Sequence, residues 1–221
     1  EIRKGLAAGF DVSAYARPEF DYKQMEEIRH GLDAGLDISV YAKPILDWAT
    51  MKKIRMGLEV KMNVSRRVDA QVQTYMDKGF GESQIQEIRL GLKAGLENSD
   101  ISIYAKPEFN YWQMEEIRKG LVAKIDTSAY ARPEFNEDQM RQIRLGLKAD
   151  LDVSVYAKLE FNEDQMEQIR LGLEDDLNVS NYANPELSWE QMRETRKRLK
   201  ADAKAAASDK PRRTRASAPG M

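Results

Sequence analysis

Ile2-Arg3-Lys4-Gly5-Leu6 stands at the start of the chain and returns, with small changes, seven more times along its 221 residues. The later copies begin at Ile28, Ile54, Ile88, Ile117, Ile143, Ile169 and, in a degraded form, Thr195. Successive copies are separated by 26, 26, 34, 29, 26, 26 and 26 residues. Such a period is typical of a solenoid, in which each repeat buries its apolar face against its neighbours. The sequence therefore predicts an all-α, right-handed solenoid of about eight repeats of ~26 residues.

The stretch from Phe135 to Tyr156 illustrates how one repeat is expected to fold. Asn136 has the residue type of a helix N-cap, and Gln139 three positions later completes a capping box. Phe135 at the position before the cap has the spacing of a hydrophobic staple with Met140. An apolar stripe at helical spacing follows, at Met140, Ile143, Leu147 and Leu151. Each repeat is therefore predicted to begin with one α-helix of about three to four turns.

A short helical turn is predicted to follow each helix. Asp152 precedes Val153-Ser154-Val155-Tyr156, a pattern that favours a single capped turn of α- or 3₁₀-helix. Proline then ends the turn, because it forces the preceding residue out of the helical region. It stands there in five repeats, at Pro18, Pro44, Pro107, Pro133 and Pro185.

Two connections are longer than the rest. Between Val64 and Phe80 there are eight extra residues, whose apolar spacing predicts a longer inserted helix over roughly Arg66 to Lys78 (residues 66–78). Three extra residues at Glu97 to Asp100 predict a loop insertion. Both are expected to interrupt the regular stacking of the repeats.

Glycine occupies the middle of the predicted helix in seven copies of the phrase. A glycine there costs about 1 kcal/mol relative to alanine, so we expect a compensating close approach of the neighbouring repeat's backbone. Other glycines follow the helices in C-cap position, at Gly9, Gly35 and Gly95. Different residues stand there in other repeats, at Lys61, Lys124, Asp150 and Asp176. This substitution indicates that the left-handed cap is optional.

The net charge of −2 is unevenly distributed along the chain. The segment from Lys200 to Met221 carries a net charge of +4, so residues 1–199 carry −6. The Ala, Ser, Pro and basic residues of the C-terminal segment predict a disordered basic tail over 200–221, after a repeat domain over 1–199. An acidic domain is a poor general attractor for nucleic acid, whose binding rests on neutralised phosphates.

Cysteine is absent, which excludes disulfides and thiolate metal sites and fits a reducing, cytoplasmic location. No apolar run reaches the roughly 18 residues that a membrane-spanning helix needs, so no membrane partner is predicted. The chain begins at Glu1 inside a predicted helix, and we expect it to be a piece of a longer protein.

Arginine recurs in every copy of the phrase, at Arg3, Arg29, Arg55, Arg89, Arg118, Arg144, Arg170 and Arg196, which together we name the arginine ladder. One hypothesis is that the ladder binds phosphates, through Arg29, Arg55, Arg89, Arg118, Arg144 and Arg170. The favoured interpretation is structural, because the arginine recurs with the repeat rather than varying by site. Its expected partners are the glutamates of the Pro-Glu-Phe turns, at Glu19, Glu108, Glu134, Glu160 and Glu186.

Aromatic residues appear at a variable position of the repeat, three residues before the methionine that starts the apolar stripe. Successive repeats have there Tyr22, Trp48, Glu82, Tyr111, Glu137, Glu163 and Trp189, and Trp112 adjoins Tyr111. Since glutamate is accepted at this position, it is at least partly in contact with water. The candidate partner-binding residues are therefore Tyr22, Trp48, Tyr111, Trp112 and Trp189, because Trp and Tyr dominate binding hot spots. The alternative is that these rings only extend the hydrophobic staple over the start of the helix.

Catalysis has almost no support in the sequence. His30 is the only histidine, and without cysteine or a second histidine there is no usual nucleophile–base pair and no nitrogen-rich zinc site. The tyrosines and methionines of the repeat fall at core positions, which favours packing over cofactor binding. No enzyme activity, cofactor or metal is predicted.

The pattern Gln-Met-x-x-Ile-Arg-x-Gly-Leu-x-x-Gly-Leu-Asp-Val-Ser-x-Tyr-Ala-x-Pro-Glu-Phe resembles tandem repeats of large bacterial proteins associated with mobile elements or phages. The resemblance covers about Glu1 to Leu199, except the stretch around Val64 to Gly79, and implies a bacterial accessory module without assigning any functional residue. In plan, one helix plus one turn is similar to alternating α and 3₁₀ solenoids such as leucine-rich variant repeats.

These observations predict a non-catalytic repeat module that presents an extended surface to another protein or a peptide. The main alternative is nucleic-acid binding through the arginine ladder and the basic tail. A third possibility is a structural spacer for an enzyme domain outside the given sequence.

Overall fold

A computed structural model describes residues 1–208, and over those residues the chain is helical, with no strand. The prediction of an all-α chain is therefore confirmed. The α-helices of the described residues are α1 (Ile2–Ala7), α2 (Tyr22–Asp33), α3 (Trp48–Met76), α4 (Glu82–Lys93), α5 (Asn98–Tyr104), α6 (Tyr111–Val122), α7 (Glu137–Lys148), α8 (Glu163–Glu174) and α9 (Trp189–Ser208). The chain divides into two compact units, Glu1–Lys78 and a second unit that begins at Gly79.

Helices α2, α6, α7 and α8 begin at the predicted capping boxes. In α7 the Asn136 side chain accepts a hydrogen bond from the Gln139 backbone N–H at 2.8 Å, and the Gln139 side chain accepts one from the Asn136 N–H at 2.9 Å. The same reciprocal pairs form at Asp21/Gln24, Asn110/Gln113 and Asn162/Gln165. The start of each of these helices is therefore specified by two residues of local sequence.

The helices end in a left-handed residue whose side chain varies. The left-handed positions, with φ between 54° and 89°, are Gly9, Gly35, Gly79, Gly95, Lys124, Asp150 and Asp176. The prediction that this cap is optional is wrong for the last three, because the conformation persists without glycine. The left-handed conformation is needed to close the end of the helix. Directly after Asp150, the N–H of Leu151 donates to the Gly146 carbonyl at 3.0 Å, as in a Schellman motif.

The short turn after the helix is confirmed in four repeats. It is a 3₁₀ turn at Val12–Ala14, Ile38–Val40, Val153–Val155 and Val179–Asn181. In one of them the Asp152 carboxylate caps the turn by accepting from the Ser154 N–H at 3.1 Å. The insertion at Glu97 to Asp100 was expected to be a loop, and this is wrong. The added residues extend the turn into α5, which has room for an α-helical bond from the Ile101 N–H to the Glu97 carbonyl at 3.0 Å.

The inserted helix predicted near 66–78 is the second half of α3 rather than a separate element. α3 runs without a break over 29 residues, from Trp48 to Met76. The sequence after Leu58 has no glycine or proline until Gly79, so nothing forces the helix to end. Lys61, at the usual cap position, is therefore an ordinary helical residue.

Helix α9 extends beyond the predicted end of the repeat domain. The disordered tail was expected to start at Lys200, but α9 continues to Ser208. Alanine-rich sequence has high helix propensity, and the Lys200 ammonium group also donates to the Asp175 carboxylate at 2.6 Å. The rest of the predicted tail, residues 209–221, lies outside the described residues.

The core positions predicted for tyrosine and methionine are confirmed. Six tyrosines are at most 1% exposed: Tyr15, Tyr41, Tyr104, Tyr130, Tyr156 and Tyr182. Five methionines are fully buried: Met51, Met114, Met140, Met166 and Met192. Most repeats therefore contribute a phenol ring, a thioether side chain or both to the core.

A tyrosine hydroxyl packs against the mid-helix glycine. The expectation that this glycine allows the backbone of a neighbouring repeat to approach is wrong. The Tyr156 hydroxyl lies over Gly146 and donates to the Gln142 carbonyl at 3.1 Å. A Cβ atom on Gly146 would overlap with that hydroxyl. Equivalent contacts occur at Gly5, Gly31, Gly91, Gly120 and Gly172. Gly57 is the exception, with no atom within 4 Å of a Cβ built there, because α3 continues where the tyrosine-bearing turn would be.

The capping glutamines also join each helix to the turn that precedes the next one. The Gln139 side-chain amide donates to the Phe161 carbonyl at 2.7 Å. The same bond joins Gln24 to Leu46, Gln84 to Phe109, Gln113 to Phe135 and Gln165 to Leu187, at 2.7 to 2.8 Å. Successive helices pack in this way within each unit, as α2 with α3 in the first and α6 with α7 in the second.

Candidate protein-binding surface

The five candidate aromatic residues lie in the first turns of helices α2, α3, α6 and α9. Three of them expose large fractions of their surface: Tyr22 61%, Trp112 48% and Trp48 39%. Tyr111 and Trp189 are partly buried. Tyr22 and Trp48 belong to the first unit, whereas the other three belong to the second. Each unit therefore presents large aromatic rings to solvent at helix starts.

A positively charged side chain of the same protein lies over two of the three tryptophan rings. The Lys23 ammonium group lies 4.8 Å from the centroid of Trp48, and the Arg193 guanidinium group lies 4.8 Å from that of Trp189. These are favourable cation–π distances. Trp112 instead stacks against Tyr111, with ring centroids 4.2 Å apart, and no cation of the described residues covers it.

A groove of about 430 Å³ runs beside Trp112, between α6 and α7. Helix α6 contributes Trp112, Glu115, Glu116 and Lys119 to its lining. Helix α7 contributes Glu137, Asp138 and Arg141. Four carboxylates against two cations leave this lining with a net charge of −2. Sequence reasoning missed the groove, although one signal was available, namely the Glu137-Asp138 pair one repeat after Tyr111-Trp112.

The ion pairs within the groove leave one carboxylate without a partner. Lys119 is held by Glu116 at 2.8 Å and by Glu115 at 3.1 Å, and Arg141 is held by Asp138 at 2.9 Å. Among the described residues Glu137 has no ion-pair partner. Both cations of the groove are therefore engaged, whereas its negative charge is not fully neutralised.

Most arginines of the ladder are engaged in contacts between successive helices, whereas Arg3 in α1 is exposed. The Arg118 Nε donates to the Glu87 carboxylate at 2.8 Å, and these side chains are only 15% and 10% exposed. Equivalent bonds of 2.6 to 2.9 Å join Arg29 to Glu1, Arg55 to Glu27, Arg144 to Glu116 and Arg170 to Gln142. Arg196 donates to Gln168 at 3.2 Å, and Arg89 is not free either.

The expected partners of the arginines were wrong. The glutamates of the Pro-Glu-Phe turns are exposed, whereas the actual acceptors belong to the preceding helix. A sequence signal could have found them. The residue just before each Ile of the phrase, or Thr195 in the last copy, is Glu or Gln in seven copies of eight, with Lys53 the exception. An arginine and its acceptor then stand 28 residues apart wherever the period is regular.

The described part of the chain contains no group of three or more His, Asp or Glu side chains placed to bind a metal ion. Within residues 1–208 no helix is both long and apolar enough to cross a bilayer. His30 is a half-buried residue of α2.

No protein-family model, curated protein or solved structure matches the chain.

Proposed function

We propose that the repeats of each unit stack as a short solenoid and that the protein is a non-catalytic module that binds another protein. The observation that carries this proposal is the exposure of large aromatic rings at helix starts, led by Tyr22 and Trp112. Exposed Trp and Tyr are enriched at the centres of protein interfaces, because they bury a large area at a small cost in side-chain entropy.

The way in which the repeat uses its other side chains supports this proposal. Its tyrosine and methionine lie in the core, and its glutamine and arginine bind neighbouring helices. The side chains at the exposed first-turn positions make none of these contacts, and their residue type varies between repeats, as at Tyr22, Trp48 and Glu82. A stack that keeps its packing residues constant and varies its surface residues is suited to partner recognition.

A pull-down with a designed surface variant tests the proposal. The variant Tyr22→Glu, Trp48→Glu, Trp112→Asp introduces the residue types that other repeats carry at the same positions, so the fold should tolerate it. A control variant replaces the exposed Glu19, Glu134 and Glu160 by Gln. We expect proteins retained by the wild type to be retained by the control and lost from the aromatic variant, as measured by quantitative mass spectrometry. Equal retention by all three proteins would contradict the proposal, and no specific retention would favour a spacer.

The alternative of phosphate binding by the arginine ladder has less support. Most of its guanidinium groups are hydrogen-bonded to side chains of the preceding repeat, which leaves few donors for phosphate. If the ladder is structural, Arg118→Gln lowers stability by about 2 kcal/mol, since the loss leaves the Glu87 charge largely buried and unpaired. The exposed Arg132 provides a matched control, because an exposed ion pair contributes at most about 1 kcal/mol. Salt-sensitive binding of DNA or RNA that Arg118→Gln abolished without a change in melting temperature would revive the alternative.

A further inference from the structure

Trp112 differs from the other two tryptophans in what covers its ring. Trp48 and Trp189 each lie 4.8 Å from a cation of the same chain. Those two tryptophans are each the first residue of a helix, whereas Trp112 is the second residue of α6 and follows Tyr111. Trp112 is 48% exposed, and no cation of the described residues lies over its ring. The chain thus shows that a cation suits a tryptophan ring in the first turn of a helix, and Trp112 lacks one.

The surroundings of Trp112 also select a cation. The groove beside it is lined by four carboxylates, and its own two cations are already held by Glu115, Glu116 and Asp138. Acidic residues in a first turn stabilise a helix, which accounts for part of the role of Glu137 and Asp138. Helix stability does not require them, since α2, α3 and α6 have no acidic residue in the first turn. An aromatic ring beside a carboxylate without a partner is a suitable site for a guanidinium group.

We propose that the groove between α6 and α7 binds an arginine side chain from an extended segment of the partner protein. This inference rests on the proposed function and specifies the chemistry of the partner. The guanidinium group stacks on Trp112 and donates to Glu137 and Asp138. The volume of about 430 Å³ is in the range of ligand-sized pockets and accommodates such a side chain together with part of its backbone.

A synthetic peptide pair tests this site directly. The probe is a fluorescein-labelled peptide with three Gly-Ser-Arg triplets, and its matched control has citrulline, a neutral isostere, in place of each arginine. Binding to the full chain is measured by fluorescence anisotropy at low salt. We expect the arginine peptide to bind and the citrulline peptide to bind at least about tenfold more weakly, because both the cation–π contact and the ion pairs require the charge.

Protein variants then locate the peptide. Trp112→Ala should weaken binding by about fivefold to tenfold, and Glu137→Gln with Asp138→Asn should do the same. The matched controls are Leu159→Ala, at a similarly exposed apolar residue (49%), and, at the same positions of the next helix, Glu163→Gln with Asp164→Asn, and both should leave the affinity unchanged. Melting temperatures of all variants confirm that they are folded.

Three outcomes would overturn the inference: no binding of the arginine peptide, equal binding of the citrulline peptide, or equal losses from the α7 and α8 carboxylate variants. The last result would indicate diffuse attraction to an acidic surface. If the pull-down yields partners that depend on the aromatic residues while the arginine peptide does not bind, the proposed function stands and this inference fails. If neither experiment finds binding, both fail.

Discussion

Gly146 and Tyr156 act as a pair, and the balance of their energies explains why glycine recurs in the middle of these helices. Glycine there costs about 1 kcal/mol of helix propensity. In return, the Tyr156 hydroxyl passes over the glycine and reaches the Gln142 carbonyl. An unsatisfied buried hydroxyl would cost about 1–3 kcal/mol, and a displaced ring would expose apolar surface as well. The packing of the tyrosine therefore outweighs the propensity of the helix.

Two glycine substitutions of opposite expected sign test this balance. Gly146→Ala should destabilise the protein by about 1–3 kcal/mol, because its Cβ overlaps with the Tyr156 hydroxyl. Gly57→Ala, with no atom within 4 Å of the new Cβ, should stabilise it by about 0.5–1 kcal/mol. Urea unfolding followed by circular dichroism measures both.

A double variant separates the clash from other effects. Adding Tyr156→Phe to Gly146→Ala removes the hydroxyl and should recover part of the lost stability. If the two alanine variants shift the urea midpoint in the same direction, the tyrosine does not determine the need for glycine.

At the scale of the element, one glutamine side chain both starts a helix and attaches the next repeat. Its oxygen accepts from the N-cap N–H, and its amide nitrogen donates to a carbonyl of the next turn, as Gln139 does with Asn136 and Phe161. The arginine ladder adds a second bond between α7 and α8, because the Arg170 Nε of α8 donates to the Gln142 side chain of α7 at 2.9 Å. The boundary of a helix and its packing partner are thus specified by the same few residues.

The two roles of the glutamine can be separated by comparing repeats. Gln139→Ala removes both the cap and the bond to Phe161. Gln191 in α9 caps Ser188 at 2.8 Å, but it is exposed and precedes no further turn in the described part of the chain. Gln139→Ala should therefore cost about 1–2 kcal/mol more than Gln191→Ala in urea unfolding, because it also leaves the Phe161 carbonyl without its donor. Equal losses would show that the bond between repeats adds no stability.

At the scale of the whole molecule, the buried tyrosines should make the protein less stable as the pH becomes alkaline. Burial raises the pKa of Tyr41 and of Tyr182 to about 12, and it also raises the pKa of Tyr130 and Tyr156. An unfolded tyrosine has a pKa of about 10. Since the folded pKa is the higher one, this stabilising contribution is complete below pH 10 and is lost as the pH rises towards 12.

An alkaline titration checks this dependence. Absorbance at 295 nm should show that the buried tyrosines ionise together with the loss of helical circular dichroism, between about pH 10 and 12. The exposed Tyr22 provides a control, because Tyr22→Phe should leave the pH of unfolding unchanged. Ionisation of all nine tyrosines while the helical signal persists would contradict the burial of the phenols.

Particular residues show how far sequence reasoning reached. The capping box of Asn136 and Gln139, the 3₁₀ turn at Val153 and the buried Tyr156 were all predicted, because each depends on neighbours close in sequence. The continuity of α3 could also have been predicted, since its second half lacks any residue that ends a helix. The Glu137-Asp138 pair hinted at the groove beside Trp112, but its shape could not be predicted, because its two walls come from different repeats.

The sequence by itself determined where most helices begin, which residues form the core, and that the chain is all-α. Those properties follow from hydrogen bonds and apolar spacing within one repeat, and they need no knowledge of the neighbours. Only the tertiary structure decided that Arg118 binds Glu87, that Gly146 makes room for a tyrosine hydroxyl, and that Trp112 borders an acidic groove. These outcomes depend on the distance and orientation between packed elements, and side-chain type alone does not specify which of several carboxylates or carbonyls comes within reach.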